Sequence, residues 1–217
     1  LFVNEADDVT IEGLTNVSSN ATARVGVYGT VSVWGSSRTT VKNNIFDGSP
    51  SVSVWVGLSP HTYVAGNVIL SATADGIHLG RGSSHSIIER NYITGVDDDG
   101  DGVIGYKEDG VIQYPQTTDV TVRDNWIDRA GSSIGRGIAM EGVSSGTIEN
   151  NTIKNSPNDG IRANGNPITF YPSHLEIINN EIINSAGVAI RFGLAADVSV
   201  RRNRIKGAAG GVLAEGP

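Results

Sequence analysis

Residues 121–127 read "TVRDNWI", and the arrangement returns as "TVKNNIF" (40–46), "YVAGNVI" (63–69), "IIERNYI" (87–93), "TIENNTI" (147–153), "EIINNEI" (176–182) and "SVRRNRI" (199–205). Each copy sets an aliphatic residue, two variable ones, an Asn, one more variable residue, then an aromatic or aliphatic residue. The shared asparagines are Asn44, Asn67, Asn91, Asn125, Asn151, Asn180 and Asn203. They recur at intervals of 23 to 34 residues, and "VTIEGLT" (9–15) is an earlier copy without the Asn.

A second element follows each copy: "SVWVG" (53–57), "DGIHLG" (75–80), "DGVIQY" (109–114), "RGIAMEG" (136–142), "DGIRANG" (159–165), "VAIRFG" (188–193) and "GGVLAEG" (210–216). All are short and alternate apolar with polar residues, as strands do. A repeat of this length made of short strands predicts one coil of a parallel β-helix per copy. A leucine-rich repeat would need several Leu at fixed offsets, and a β-sandwich would not keep the Asn in register. The expected fold is all-β, a single parallel β-helix of about eight coils over residues 1–217. Coils stack about 4.8 Å apart, so equivalent asparagines form a column in which each amide bonds the next.

Composition agrees and excludes several functions. The 28 Gly and 7 Pro among 217 residues suit tight turns between short strands. There is no Cys, hence no disulfide, thiolate metal site or thiol nucleophile. A net charge of −7 argues against a nucleic-acid partner. No apolar run approaches the roughly 20 residues that span a bilayer. The chain begins at Leu1 with no charged-then-apolar leader, as expected of a processed protein or a portion of a longer one.

The "V-x-x-N-x-I" copies followed by "DGIH" or "DGIR" resemble the right-handed parallel β-helix superfamily of pectate lyases, polygalacturonases and their bacterial relatives. The resemblance covers nearly the whole chain. It implies a right-handed coil and leaves activity open, because the same coil serves lyases, hydrolases, epimerases, tailspikes and adhesins. No cap helix is evident at either end, so caps outside this segment or end-to-end self-association through open coil ends are both expected possibilities.

Residues 97–108, "DDDGDGVIGYKE", resemble the calcium loop of the EF-hand, D-x-[DN]-x-[DN]-G-x₅-E. By that resemblance Asp97, Asp99 and Asp101 supply carboxylates, Gly102 the sharp turn, Val103 a backbone carbonyl and Glu108 a bidentate carboxylate to Ca²⁺. Strands or turns, not helices, are expected on either side. Removing 97–108 would join "YITGV" to "DGVIQY" as an ordinary coil, so the stretch reads as a calcium-loop insertion. The plainer reading is a solvated acidic loop without an ion.

Aligning the second elements places outward side chains in two columns. One holds Asp75, Asp109, Arg136 and Asp159; the other holds Trp55, His78, Ile112, Ala139, Arg162 and Arg191. Asp75, His78, Arg162 and Arg191 are the candidate catalytic residues, with Trp55, Arg136 and Asp159 as candidate substrate contacts. Polygalacturonases carry an Asp, an Asp pair, a His and an Arg-x-Lys, and here the match fails after Asp97 and Asp98. The only "RIK", Arg204 to Lys206, falls on the Asn-bearing strand. A calcium-dependent lyase fits better: the cation masks a uronate carboxylate and an Arg removes the neighbouring proton. Against it stands the reading that Asp and Arg pair along the stack as turn and surface contacts. His61, His85 and His174 read as turn residues.

The expected function is therefore an exported, calcium-binding β-helix, extracellular or at the cell surface, that binds or cleaves an acidic polysaccharide. The alternative is a non-catalytic structural, adhesive or filament-forming solenoid.

Overall fold

The computed structural model describes residues 1–17, 29–96, 104–107, 117–130, 135–142, 145–164 and 173–216. Every strand in it pairs in parallel with its neighbours, and three sheets of nine, eight and eight strands result. No helix is assigned among the described residues. Sheet A runs through Phe2–Asn4, Val31–Trp34, Val54–Gly57, Ile77–Leu79, Ile104–Lys107, Ile138–Glu141, Ile161–Asn164, Val188–Gly193 and Gly210–Glu215. Sheet B begins at Thr10–Glu12 and ends at Ala196–Arg201, and sheet C begins at Thr15–Val17 and ends at Arg204–Lys206. The chain visits A, B and C in turn, so each circuit is one coil.

Alternation decides which side chains face inward. In sheet A, Val54, Ile77, Ile104, Ile138, Ile161 and Ile190 stand in one register column and are buried. In sheet C, Phe46, Ile69, Ile93, Ile127, Ile153 and Ile182 do the same. Each fully buried aliphatic side chain contributes about 1.5–3 kcal/mol. β-Branched residues dominate because they fit a pleated surface whose inner face is close-packed.

Between sheets B and C the asparagines form the expected column. Asn44, Asn67, Asn91, Asn125 and Asn151 each donate Nδ2–H to Oδ1 of the next Asn at 3.0 Å, and the same Oδ1 accepts the backbone N–H of the preceding Asn. Asn180 continues the series to Asn203. The second amide hydrogen goes to a backbone carbonyl of the previous coil, as from Asn125 to Ile88. Buried amides are thus satisfied without water. The 9–15 copy belongs to the stack: Leu14, at the place of the missing Asn, donates its N–H to Asn44 Oδ1.

The residue before each column Asn turns the corner with positive φ, as at Asn43, Arg90, Asp124, Asn150, Asn179 and Arg202. Gly66 holds that place in one coil, where a Cβ would come within 2.6 Å of Asn43 Oδ1. His61, His85 and His174 occupy another positive-φ corner, at 58°, 59° and 58°, in agreement with their reading as turn residues.

One expected strand moves. The sequence offers "DGVI" twice, at 101–104 and at 109–112, and the second copy was expected in the stack. The slot between Ile77–Leu79 and Ile138–Glu141 is filled instead by Ile104–Lys107. This choice keeps the passage from sheet C to sheet A short, Ile93 to Ile104, like Ile127 to Ile138 one coil later. The extra length of this coil then falls on the way to sheet B, between Ile104 and Thr121, against Ile77 to Ile87 in the coil before. Residues 108–116 lie outside the described residues.

Candidate functional site on the outer face of sheet A

Outward positions of sheet A stand in register as Ser32, Trp55, His78, Gly105, Ala139, Arg162 and Arg191. The sequence reading placed Ile112 in this column; the residue there is Gly105. Asp109 lies outside the described residues. Asp75 and Asp159 border strands separated by two others, about 14 Å at the spacing of a sheet, which is wide for a glycosidase pair.

At one end of the face Trp34 and Trp55 stack, ring centroids 5.4 Å apart and planes within 14°. They are not register partners: Trp34 pairs with Gly57 and Trp55 with Ser32. The absent side chain at Gly57 makes the diagonal contact possible, because a Cβ there would lie 2.6 Å from Trp55 and 2.8 Å from Trp34. Both indoles remain partly exposed.

Next along the column, His78 Nδ1 lies 2.6 Å from Asp75 Oδ2, and Asp75 is 2 % exposed. A buried carboxylate at Nδ1 fixes the imidazole and favours basicity at Nε2, the arrangement of a general base with its orienting acid. Small residues follow: Gly105 and Ala139 are both buried.

Beyond them lies a charged cluster. Arg191 Nε donates to Asp159 Oδ2 at 2.8 Å and Arg191 also bonds Glu215, while Asp159 accepts the N–H of Val188 at 2.9 Å. The hydrogen bond from Arg191 to Asp159 is the main reason its pKa is raised. Glu141 sits 3.7 Å from Arg136 and 3.9 Å from Arg162. Burial, then the charge of Arg136, lowers the pKa of Arg162, and its Nε is buried without a hydrogen-bond partner. A guanidinium so placed is suited to receive an anionic group.

Of the four candidate catalytic residues, the structure joins Asp75 with His78 and Arg162 with Arg191, two pairs separated by the strands of Gly105 and Ala139. Trp55 borders the first pair; Arg136 and Asp159 belong to the second. Trp34 and Glu141 were missed. Trp34 carried a signal, the repeated "SVW" at 32–34 and 53–55, but only ring orientation brings the two indoles together.

The proposed calcium ligands Asp97, Asp99, Asp101, Val103 and Glu108 lie outside the described residues. No group of three or more His, Asp or Glu able to hold a metal occurs among the described ones.

The description "Right handed beta helix region" matches residues 1–171 and 109–216. The chain belongs to the right-handed β-helix family. No protein with a curated description matches it. Among solved structures, the surface adhesin PfbA of Streptococcus pneumoniae is 12 % identical with a TM-score of 0.54, covering 98 % of this chain and 60 % of its own. The A-module of Azotobacter vinelandii mannuronan C-5 epimerase AlgE4 is 14 % identical, TM-score 0.51, covering 98 % and 73 %. A double mutant of the periplasmic alginate epimerase AlgG is 14 % identical, TM-score 0.53, covering 98 % and 58 %. The chain thus spans only part of each, little more than half in the shortest case. At these identities the likeness is one of fold. No helix among the described residues is long and apolar enough to cross a membrane.

Proposed function

We propose that this β-helix binds polysaccharide along the outer face of sheet A, outside the cytoplasm or at the cell surface. The stacked Trp34–Trp55 pair carries the reading, since its partly exposed rings offer apolar surface to the C–H groups of a sugar. A histidine stands next in the column, and arginines follow beyond the buried Gly105 and Ala139. Similar folds in a surface adhesin, a mannuronan C-5 epimerase and a periplasmic alginate epimerase support polysaccharide or surface work in general terms. Retention in native gels containing dextran, laminarin, alginate or polygalacturonate tests it: wild type is slowed by at least one polymer and Trp55→Ala is not. Equal mobility of the two proteins in every gel would refute it.

A second reading, uronate-directed lyase chemistry, has one observation in its favour: Asp75 holds His78 beside the tryptophans. In that scheme His78 takes the C5 proton next to the uronate carboxylate, a C4–C5 double bond forms as the C4–O glycosidic bond breaks, and the leaving oxygen takes a proton from water. Growth of absorbance near the wavelength of unsaturated uronates, abolished by His78→Ala, checks it.

Calcium is part of the proposal: Asp97, Asp99, Asp101, the Val103 carbonyl and Glu108 would hold the ion.

A further inference from the structure

Sheet C carries a feature that the sheet A reading does not use. The residues directly after the column asparagines point outward and stand in register as Ile45, Val68, Tyr92 and Trp126. Three of them are unusually open for large apolar residues: Ile45 is 40 %, Tyr92 44 % and Trp126 38 % exposed. Leu70, beside them, is 38 % exposed. A contiguous exposed apolar stripe marks an interaction surface far more often than scattered single residues do.

The surroundings of the stripe identify what it fits. A second outward column runs alongside it through Thr94, Asp128 and Lys154, which are register partners. Asp128 is occupied by the amide of Asn155, which donates to it at 2.7 Å. Lys154, its register neighbour, instead lies over Trp126 with Nζ 4.0 Å from the ring centroid. No ion pair engages Lys154 among the described residues. The stripe therefore offers aromatic rings on adjacent rungs, hydrogen-bonding groups along one edge, and a cation held against an indole. An aliphatic protein helix would leave that polar edge and that cation unmatched. A uronate sugar matches them: its C–H face on the Tyr92 ring, its hydroxyls at the edge, and its carboxylate on the ammonium that covers Trp126.

We propose that the Tyr92–Trp126 stripe, with Lys154, is a second binding site, for an acidic polysaccharide whose chain crosses successive rungs of sheet C. This rests on the polysaccharide reading only for the class of ligand; sheet A and sheet C are separate surfaces with separate residues. Two contact lines on one rigid body would raise retention on a polymer through effective concentration.

The test is migration of the whole chain in native gels containing polygalacturonate, with dextran as the neutral control. Tyr92→Ala combined with Trp126→Ala is expected to weaken retention by polygalacturonate about tenfold, and Lys154→Ala to weaken it less while sparing any retention by dextran. All three side chains are at the surface, and unchanged circular dichroism confirms folding. If the double variant is retained as wild type while Trp55→Ala abolishes retention, the stripe is refuted and the sheet A site stands. If the double variant loses retention and Trp55→Ala keeps it, the stripe stands and the sheet A reading fails. Equal retention of Lys154→Ala and wild type refutes an acidic ligand. A sedimentation coefficient that falls in the double variant without polymer shows a second copy on the stripe and overturns the proposal.

Discussion

Trp34 and Trp55 stack across a diagonal of sheet A, each opposite a residue with little or no side chain, Gly57 for one and Ser32 for the other. The platform is therefore built as much by Gly57 as by the indoles. Gly57→Val is expected to split the stack, shift the tryptophan emission and reduce polymer retention to the level of Trp55→Ala. Fluorescence spectra and affinity gels on both variants check this. Retained stacking in Gly57→Val would show that the sheet accommodates the extra bulk.

Asn151 donates to Asn180 Oδ1 and to the carbonyls of Val122 and Glu149, and accepts from Asn125. Replacing it by Ala strands buried donors and acceptors on two neighbouring coils. Each stranded group costs about 1–3 kcal/mol, so Asn151→Ala should lower stability by several times the effect of the outward-facing, half-buried Thr152→Ala. Urea unfolding midpoints provide the comparison.

Glu89, only 2 % exposed, accepts from Arg123 Nε at 2.6 Å and is bonded by Tyr63 and Arg90. Burial alone would raise its pKa; the hydrogen bonds from Tyr63 and Arg123 together outweigh burial and lower it. A carboxylate with a depressed folded-state pKa stabilises the fold above its ordinary pKa and loses that contribution as pH falls through the depressed value. Glu89→Gln should therefore destabilise the protein at neutral pH and flatten its loss of stability between the ordinary carboxylate range and more acid conditions. Thermal midpoints measured from pH 7 downward test the slope.

For the acidic segment, Asp99→Ala and Glu108→Ala should each weaken calcium binding by more than about tenfold, because both carboxylates belong to the proposed ligand set. Titration calorimetry checks this, and wild-type affinity in both variants would refute the calcium loop.

The coil stack was legible in the sequence because a parallel solenoid forces equivalent residues into contact: an Asn out of step would bury an unpaired amide, so the repeat is written plainly from Asn44 to Asn203. The outward column of sheet A followed from it, except in one coil. There two "DGVI" copies compete, and local pattern does not distinguish them; the lengths of the two corner passages do. The Trp34–Trp55 contact was hidden because it depends on a diagonal set by ring orientation. The partners of Arg191 and His78 were half legible. Their column was right, but register does not say that Asp159 is committed to Arg191.

From Asn67 to Asn203 each Oδ1 receives two hydrogens from the coil before it, and from Asn44 to Asn180 each Nδ2 gives one hydrogen to the coil after it. The lock is thus directional and identical at each storey. A whole turn can be duplicated or deleted as a cassette without leaving a mismatched amide, whereas a partial turn cannot. Variation in such a molecule should accumulate as added storeys and as lengthened corners away from the asparagines, which is where its unequal coil lengths already lie.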